Sequence, residues 1–131
     1  MTTELHAILK DDPAIDLAIL FGSFAEGRSG PASDLDVAVS CGAPMTPKQR
    51  QDLSDRIAES TGREIDIVDL ATVGGALLGN ILRQGRTLVD RGKGSRGRLY
   101  QRLFDWQEDL RPAVEDMMTR RRQRYFPTSH G

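Results

Sequence analysis

Residues 16–39 read DLAILFGSFAEGRSGPASDLDVAV, and the reading of the whole chain turns on this stretch. Asp16–Phe21 is a short apolar run that stops at Gly22-Ser23, which reads as a buried strand. Leu35–Val39 alternates apolar and polar side chains and reads as a second strand. Gly27 and Gly30-Pro31 belong to the loop that returns the chain between them. Residues two apart in a strand point to one face, so Asp34 and Asp36 present two carboxylates side by side. Such a pair repels itself unless a cation lies between. Hard oxygen ligands of this kind suit magnesium, which takes one or two carboxylates together with substrate phosphates. Gly22 has no Cβ and lets the backbone approach a phosphate closely. Ser23 beside it offers an N–H and a hydroxyl to the β- and γ-phosphates, and a helix starting there would add a field favourable to an anion.

The flanking sequence supplies the rest of a sheet. Upstream, Leu5, Ile8 and Leu9 are spaced for a helix over residues 3–10 that Pro13 ends. Downstream, Thr46-Pro47-Lys48-Gln49 is a strong helix start: Thr46 can cap, Pro47 suits the first helical position and Gln49 completes a capping box. That helix runs to Gly62, with Leu53, Ile57 and Ala58 inward. Arg63–Asp69 (REIDIVD) alternates and reads as a third strand. Alternation puts Asp66 and Asp69 on opposite faces of it, and Asp66 is the candidate third carboxylate of a two-metal site. Thr72 is expected to cap a helix that ends at Gly85, and Arg86–Asp90 to form a fourth strand. After the turn Gly92-Lys93-Gly94 comes a long helical stretch. Its stripe is Leu99, Leu103, Trp106, Leu110, Val114 and Met117, interrupted at Pro112 by a kink or a new helix. This stripe could cover the sheet or face a partner.

The predicted class is therefore α/β: a small mixed sheet flanked by helices, with a C-terminal helical extension. Residues 1–92 are expected to form the nucleotide-handling domain, and residues 93–131 the extension. No apolar run reaches the length of a transmembrane helix, and residues 1–10 do not read as a signal peptide. A single cysteine, Cys41, excludes an internal disulfide and fits a reducing, cytoplasmic setting as a buried structural thiol. With His6 and His130 far apart, a zinc site is not expected. The net charge of −1 conceals an asymmetry: residues 1–90 hold 8 basic and 14 acidic side chains, residues 91–131 hold 10 and 5. The densest basic cluster, Arg120-Arg121-Arg122-Gln123-Arg124, has little aromatic interleaving. It reads as a solvated helix end in preference to a contact for nucleic acid or an acidic protein surface, though with the stripe it is a candidate contact surface for a partner.

Gly22-Ser23, ten residues, then Asp34-x-Asp36 resembles the signature of the DNA polymerase β-like nucleotidyltransferase superfamily. More closely, the chain looks like a minimal nucleotidyltransferase (MNT-domain) protein. LFGSFAEGRSGPASDLDVAV and REIDIVDL resemble that family's two core motifs, and the likeness covers residues 15–90. The tail, with LYQRLFDWQEDLRPAVEDMM, is similar to the C-terminal helix of MNT antitoxins paired with HEPN toxins. The resemblance implies that Gly22 and Ser23 hold the triphosphate of ATP, and that Asp34 and Asp36 bind two magnesium ions. It implies that Asp66 binds the catalytic ion and helps deprotonate the acceptor hydroxyl. It also implies an adenylyltransferase antitoxin that transfers AMP to a tyrosine of its HEPN partner, a ribonuclease, and so silences it.

Two rival readings keep part of this. Aminoglycoside adenylyltransferases share the signature but usually carry a larger substrate-binding portion. A binding module could instead neutralise a toxin by masking it, with little catalysis; the intact carboxylate set argues against that. No residue dictates adenine over another base, so that preference rests on the resemblance alone.

Overall fold

In a computed structural model, residues 2–22 and 35–109 are described. The elements in chain order are α1 (Thr2–Asp11), β1 (Leu17–Phe21), β2 (Leu35–Ser40), α2 (Pro47–Thr61), β3 (Ile65–Asp69), α3 (Gly75–Gln84), β4 (Arg86–Asp90) and α4 (Ser95–Asp109). The sheet order is β3-β2-β1-β4. β1 runs antiparallel to both β2 and β4, whereas β2 and β3 are parallel. A parallel pair needs a crossover, and α2 supplies it.

Alternation along the strands divides the core into two layers. On one face Ala18, Leu20, Leu35, Val37, Val39 and Ile67 pack against Leu5 and Leu9 of α1 and Leu53 and Ile57 of α2. On the other, Leu17, Ile19 and Ala38 pack against Leu78, Ile81 and Leu82 of α3 and Leu99 and Leu103 of α4. The sheet is thus covered on both faces, which is why β1, in its interior, reads as a continuous apolar run. A register shift opposite Ala18 and Ile19 marks a bulge in β4, and both Leu88 and Val89 lean on the first layer as a result.

The start of α2 is built as its sequence predicts. The Thr46 hydroxyl accepts from Gln49 N–H at 3.1 Å, and the Gln49 side chain accepts from Thr46 N–H at 2.8 Å. The helix ends at Gly62. Two expectations need correction. β3 begins at Ile65, because Gly62 and Arg63 are spent turning out of α2. Thr72 does not cap α3; Gly74 stands at the cap with no side-chain bond. The Thr72 hydroxyl donates instead to the Asp69 carbonyl at 3.4 Å, in the turn that closes β3. A short hydroxyl side chain competes readily for such a local acceptor, and the helix starts later as a consequence.

The described half of the C-terminal stripe faces inward. Leu99 and Leu103 are buried and Trp106 is half-buried against the second layer. Arg102 ties the same helix to the β3–α3 connection by donating to Ala71 O at 3.4 Å and Val73 O at 3.2 Å. Leu110, Pro112, Val114, Met117 and the arginine cluster at 120–124 lie outside the described residues. Directly after β4, Arg91 donates to Ile15 O at 2.6 Å and to Lys10 O at 2.5 Å, closing β4 onto the α1–β1 turn. Among the described residues, no helix is long and apolar enough to cross a membrane.

Gly75 marks where α4 meets α3, since a Cβ there would collide with the Trp106 indole. Gly75→Val is expected to displace that ring. An overpacked core contact costs about 1–3 kcal/mol. Trp106 is the only tryptophan, so its emission reports the displacement directly. A red shift accompanied by a lower Tm is the expected result.

Candidate active site

Each described site residue occupies a position fixed by a strand end. Gly22 is the first residue after β1, Asp36 the second residue of β2 and Asp66 the second residue of β3. Register brings them together: Phe21 lies opposite Asp36 across the antiparallel pair, and Asp36 lies beside Asp66 across the parallel one. Neighbouring strands are roughly 4.8 Å apart, and in-register neighbours share a face. The two carboxylates therefore stand side by side on the face covered by α3 and α4.

That cover ends before it reaches them. Ala38, two residues along β2 on the same face, is fully buried, while Asp36 is half-buried and Asp66 is exposed. Charged groups at this end keep contact with water that the centre of the sheet would deny them. Gly22 closes the site from the β1 side. Its backbone is left-handed, at φ +80°, and it lies directly against the Asp36 carboxylate. Ser23 and Asp34 lie outside the described residues.

Asp69 shows what an acid of the same strand does on the other face. It is 3% exposed. Its two carboxylate oxygens accept from Met45 N–H at 2.7 Å and Ala71 N–H at 2.9 Å. Asp69 pins the loop before α2 to the turn after β3, so its role is structural. Alternation had separated it from Asp66, but its hydrogen-bonding role had no signature in the sequence.

Cys41 is half-buried against the first layer rather than fully enclosed. Burial and the nearby Asp12, Asp69 and Asp16 charges push its thiol up to about 11, so it remains protonated and unreactive at neutral pH. Among the described residues, no three His, Cys, Asp or Glu side chains gather into a metal-binding group. What they contribute is the pair Asp36 and Asp66. Two hard, oxygen-only donors with one open side fit magnesium, whereas zinc favours nitrogen and sulfur ligands. A concavity of about 530 Å³ lies elsewhere, between α1 and β4, lined by His6, Lys10, Leu88 and Asp90 among others. It holds neither carboxylate of the pair.

A family model described as "Polymerase beta, Nucleotidyltransferase" matches residues 3–93. The chain belongs to this nucleotidyltransferase family. Protein adenylyltransferase MntA of Shewanella oneidensis is 30% identical over 82 residues, which make up 62% of this chain and 59% of that protein. The chain thus matches about three fifths of the length of this curated relative. Among solved structures, a toxin–antitoxin crystal structure with AMP-PNP superimposes with a TM-score of 0.72 at 23% identity, covering 89% of this chain and 98% of the other. A complex of tri-AMPylated Shewanella oneidensis HEPN toxin with MNT antitoxin gives a TM-score of 0.66 at 21% identity, covering 89% and 95%. These structural likenesses establish a shared fold, and the expected mixed sheet with a C-terminal helix is the one observed.

The different duties of the two β3 acids are separable by experiment. Asp69→Ala removes the acceptor of two backbone N–H groups and is expected to cost about 1–3 kcal/mol for each one left unsatisfied. Asp66→Ala, at an exposed position, is expected to change stability by no more than about 0.5 kcal/mol. Urea denaturation of both variants checks this pair of outcomes.

Proposed function

We propose that this chain is a magnesium-dependent protein adenylyltransferase that transfers AMP from ATP to a tyrosine hydroxyl of a cognate HEPN toxin. The observation that carries this reading is the in-register pair Asp36 and Asp66 set against Gly22, at the open end of a sheet belonging to the nucleotidyltransferase family. The described relatives support the choice of acceptor: one is a protein adenylyltransferase and another is a complex with an AMPylated HEPN toxin.

In this reading Gly22 and Ser23 cradle the triphosphate, while Asp34, Asp36 and Asp66 hold two magnesium ions. Bound magnesium supplies charge neutralisation on the phosphates and lowers the pKa of the acceptor hydroxyl. The protein's own contribution is placement. The Ser23 N–H and hydroxyl orient the β- and γ-phosphates so that the α-phosphorus faces the acceptor. In this reading Asp66 receives the acceptor's proton, and its greater exposure than Asp36 supports that choice. The tyrosine oxygen then forms a bond to the α-phosphorus, and the bond to the pyrophosphate oxygen breaks. Rate enhancement comes mainly from this alignment and from fixed charge.

The partner completes the site. The described residues provide one wall, a sheet end with carboxylates. A protein acceptor brings its own wall with its tyrosine. Residues 93–131 are proposed as an extension whose described part packs on the sheet and whose remainder contributes partner contacts.

Transfer from α-labelled ATP with magnesium, in the presence of the toxin, tests this. Label is expected on a toxin tyrosine with the wild type. Asp36→Ala is expected to reduce it by at least roughly 10²–10³-fold, as for loss of a principal electrostatic group. A tight complex without label transfer would leave masking as the mode of inhibition. Label on an aminoglycoside instead of the toxin would reassign the acceptor.

A further inference from the structure

We infer that Gly22 is a positioning residue for the Asp36 carboxylate: its missing Cβ leaves the volume that carboxylate occupies. A Cβ built on Gly22 would overlap Oδ2 of Asp36 and lie 3.2 Å from its Cγ and 3.4 Å from its Cβ. The other described glycines with positive φ do not share this crowding. Gly62 and Gly92 have nothing within 4 Å of such an atom, and Gly42 and Gly94 would each meet a single side-chain atom, Asp16 Oδ2 at 3.3 Å and an Arg98 guanidinium nitrogen at 3.1 Å. At Gly62 and Gly92, backbone conformation alone explains the glycine. At Gly22 two requirements coincide, a left-handed backbone at φ +80° and an acidic side chain filling the place of its own.

The Asp36 backbone has little room to retreat. It lies within the sheet, registered against Phe21 on one side and Asp66 on the other. A Cβ at residue 22 therefore pushes on the Asp36 side chain, and displacing that side chain changes its relation to Asp66. This role differs from close approach to a phosphate, in which an added methyl would disturb nucleotide binding and leave Asp36 where it is. The functional consequence rests on Asp36 being a metal ligand; the contact itself does not.

The test is a thermal-unfolding cycle without metal or nucleotide, on wild type, Gly22→Ala, Asp36→Ala and the double variant. A parallel pair carries Asp36→Asn, which keeps the bulk and removes the charge. Backbone strain at residue 22 is common to all backgrounds, whereas the collision disappears only when Asp36 is cut back to alanine. The Tm drop caused by Gly22→Ala is therefore expected to shrink in the Asp36→Ala background and to persist in Asp36→Asn. Should Gly22→Ala alone fail to fold, recovery of folding in the double variant with Asp36→Ala supports the contact, and failure there overturns it. An equal Tm drop in all three backgrounds also overturns it. In a second measurement, Mn²⁺ binding without nucleotide is followed by electron paramagnetic resonance. Gly22→Ala is expected to weaken it by about 10–100-fold, the range seen when a group that orients a metal ligand is lost. Unchanged Mn²⁺ affinity with weakened ATP binding would overturn the positioning role and leave Gly22 only its place at the triphosphate. If Mn²⁺ binding by the wild type proved independent of Asp36, the metal-ligand reading would fall, while the unfolding cycle would still decide the contact.

Discussion

Two carboxylates cannot share a small volume inside a protein without something that tolerates their charge, and the architecture answers to that constraint. Parallel pairing of β2 and β3 starts both strands at the same end of the sheet and sets the second residue of each side by side. The α3–α4 layer stops short of that end, so Asp36 and Asp66 keep access to water while Ala38, one step inward on the same face, does not. The arrangement is costly for an ordinary sheet and useful for one that meets a divalent cation and a polyphosphate.

The helices are arranged to keep that end fixed. α2 makes the crossover that permits the parallel pair, and its capping box sets where the crossover begins. Asp69 then fastens the loop before α2 to the turn after β3, three residues from Asp66 on the same strand. α4 binds down the following connection through Arg102 and packs Trp106 over Gly75. One strand thus carries two acids with opposed duties. Asp66 is open to solvent, and Asp69 is buried with both carboxylate oxygens hydrogen-bonded, holding the frame in which Asp66 sits.

The same contrast separates what could be read in advance from what could not. The four strands and the capping box of α2 were legible because they depend on local periodicity and cap chemistry. Thr72 was misread as a cap because its hydroxyl had two local uses, and only the turn geometry chose between them. The bulge in β4 was invisible, since Arg86–Asp90 reads as a strand whether or not one of its residues is left unpaired. The stripe on the C-terminal helix was legible as amphipathic, but amphipathicity does not say whose core it joins; Leu99 and Leu103 turn out to belong to the chain's own second layer.

By itself, the sequence determined the alternation that separates Asp66 from Asp69 and the strand-loop-strand frame that carries Gly22 and Asp36. Both follow from the fixed period of a β-strand, which any local stretch of chain obeys. Tertiary structure alone decided that Asp36 and Asp66 are neighbours, because register between strands far apart in sequence is set by packing on both faces of the sheet. It also decided that Gly22 lies against the Asp36 carboxylate rather than against open space. A glycine's sequence context records that some close approach or unusual backbone is possible there; only the folded neighbours show which atom has taken the place of the missing side chain.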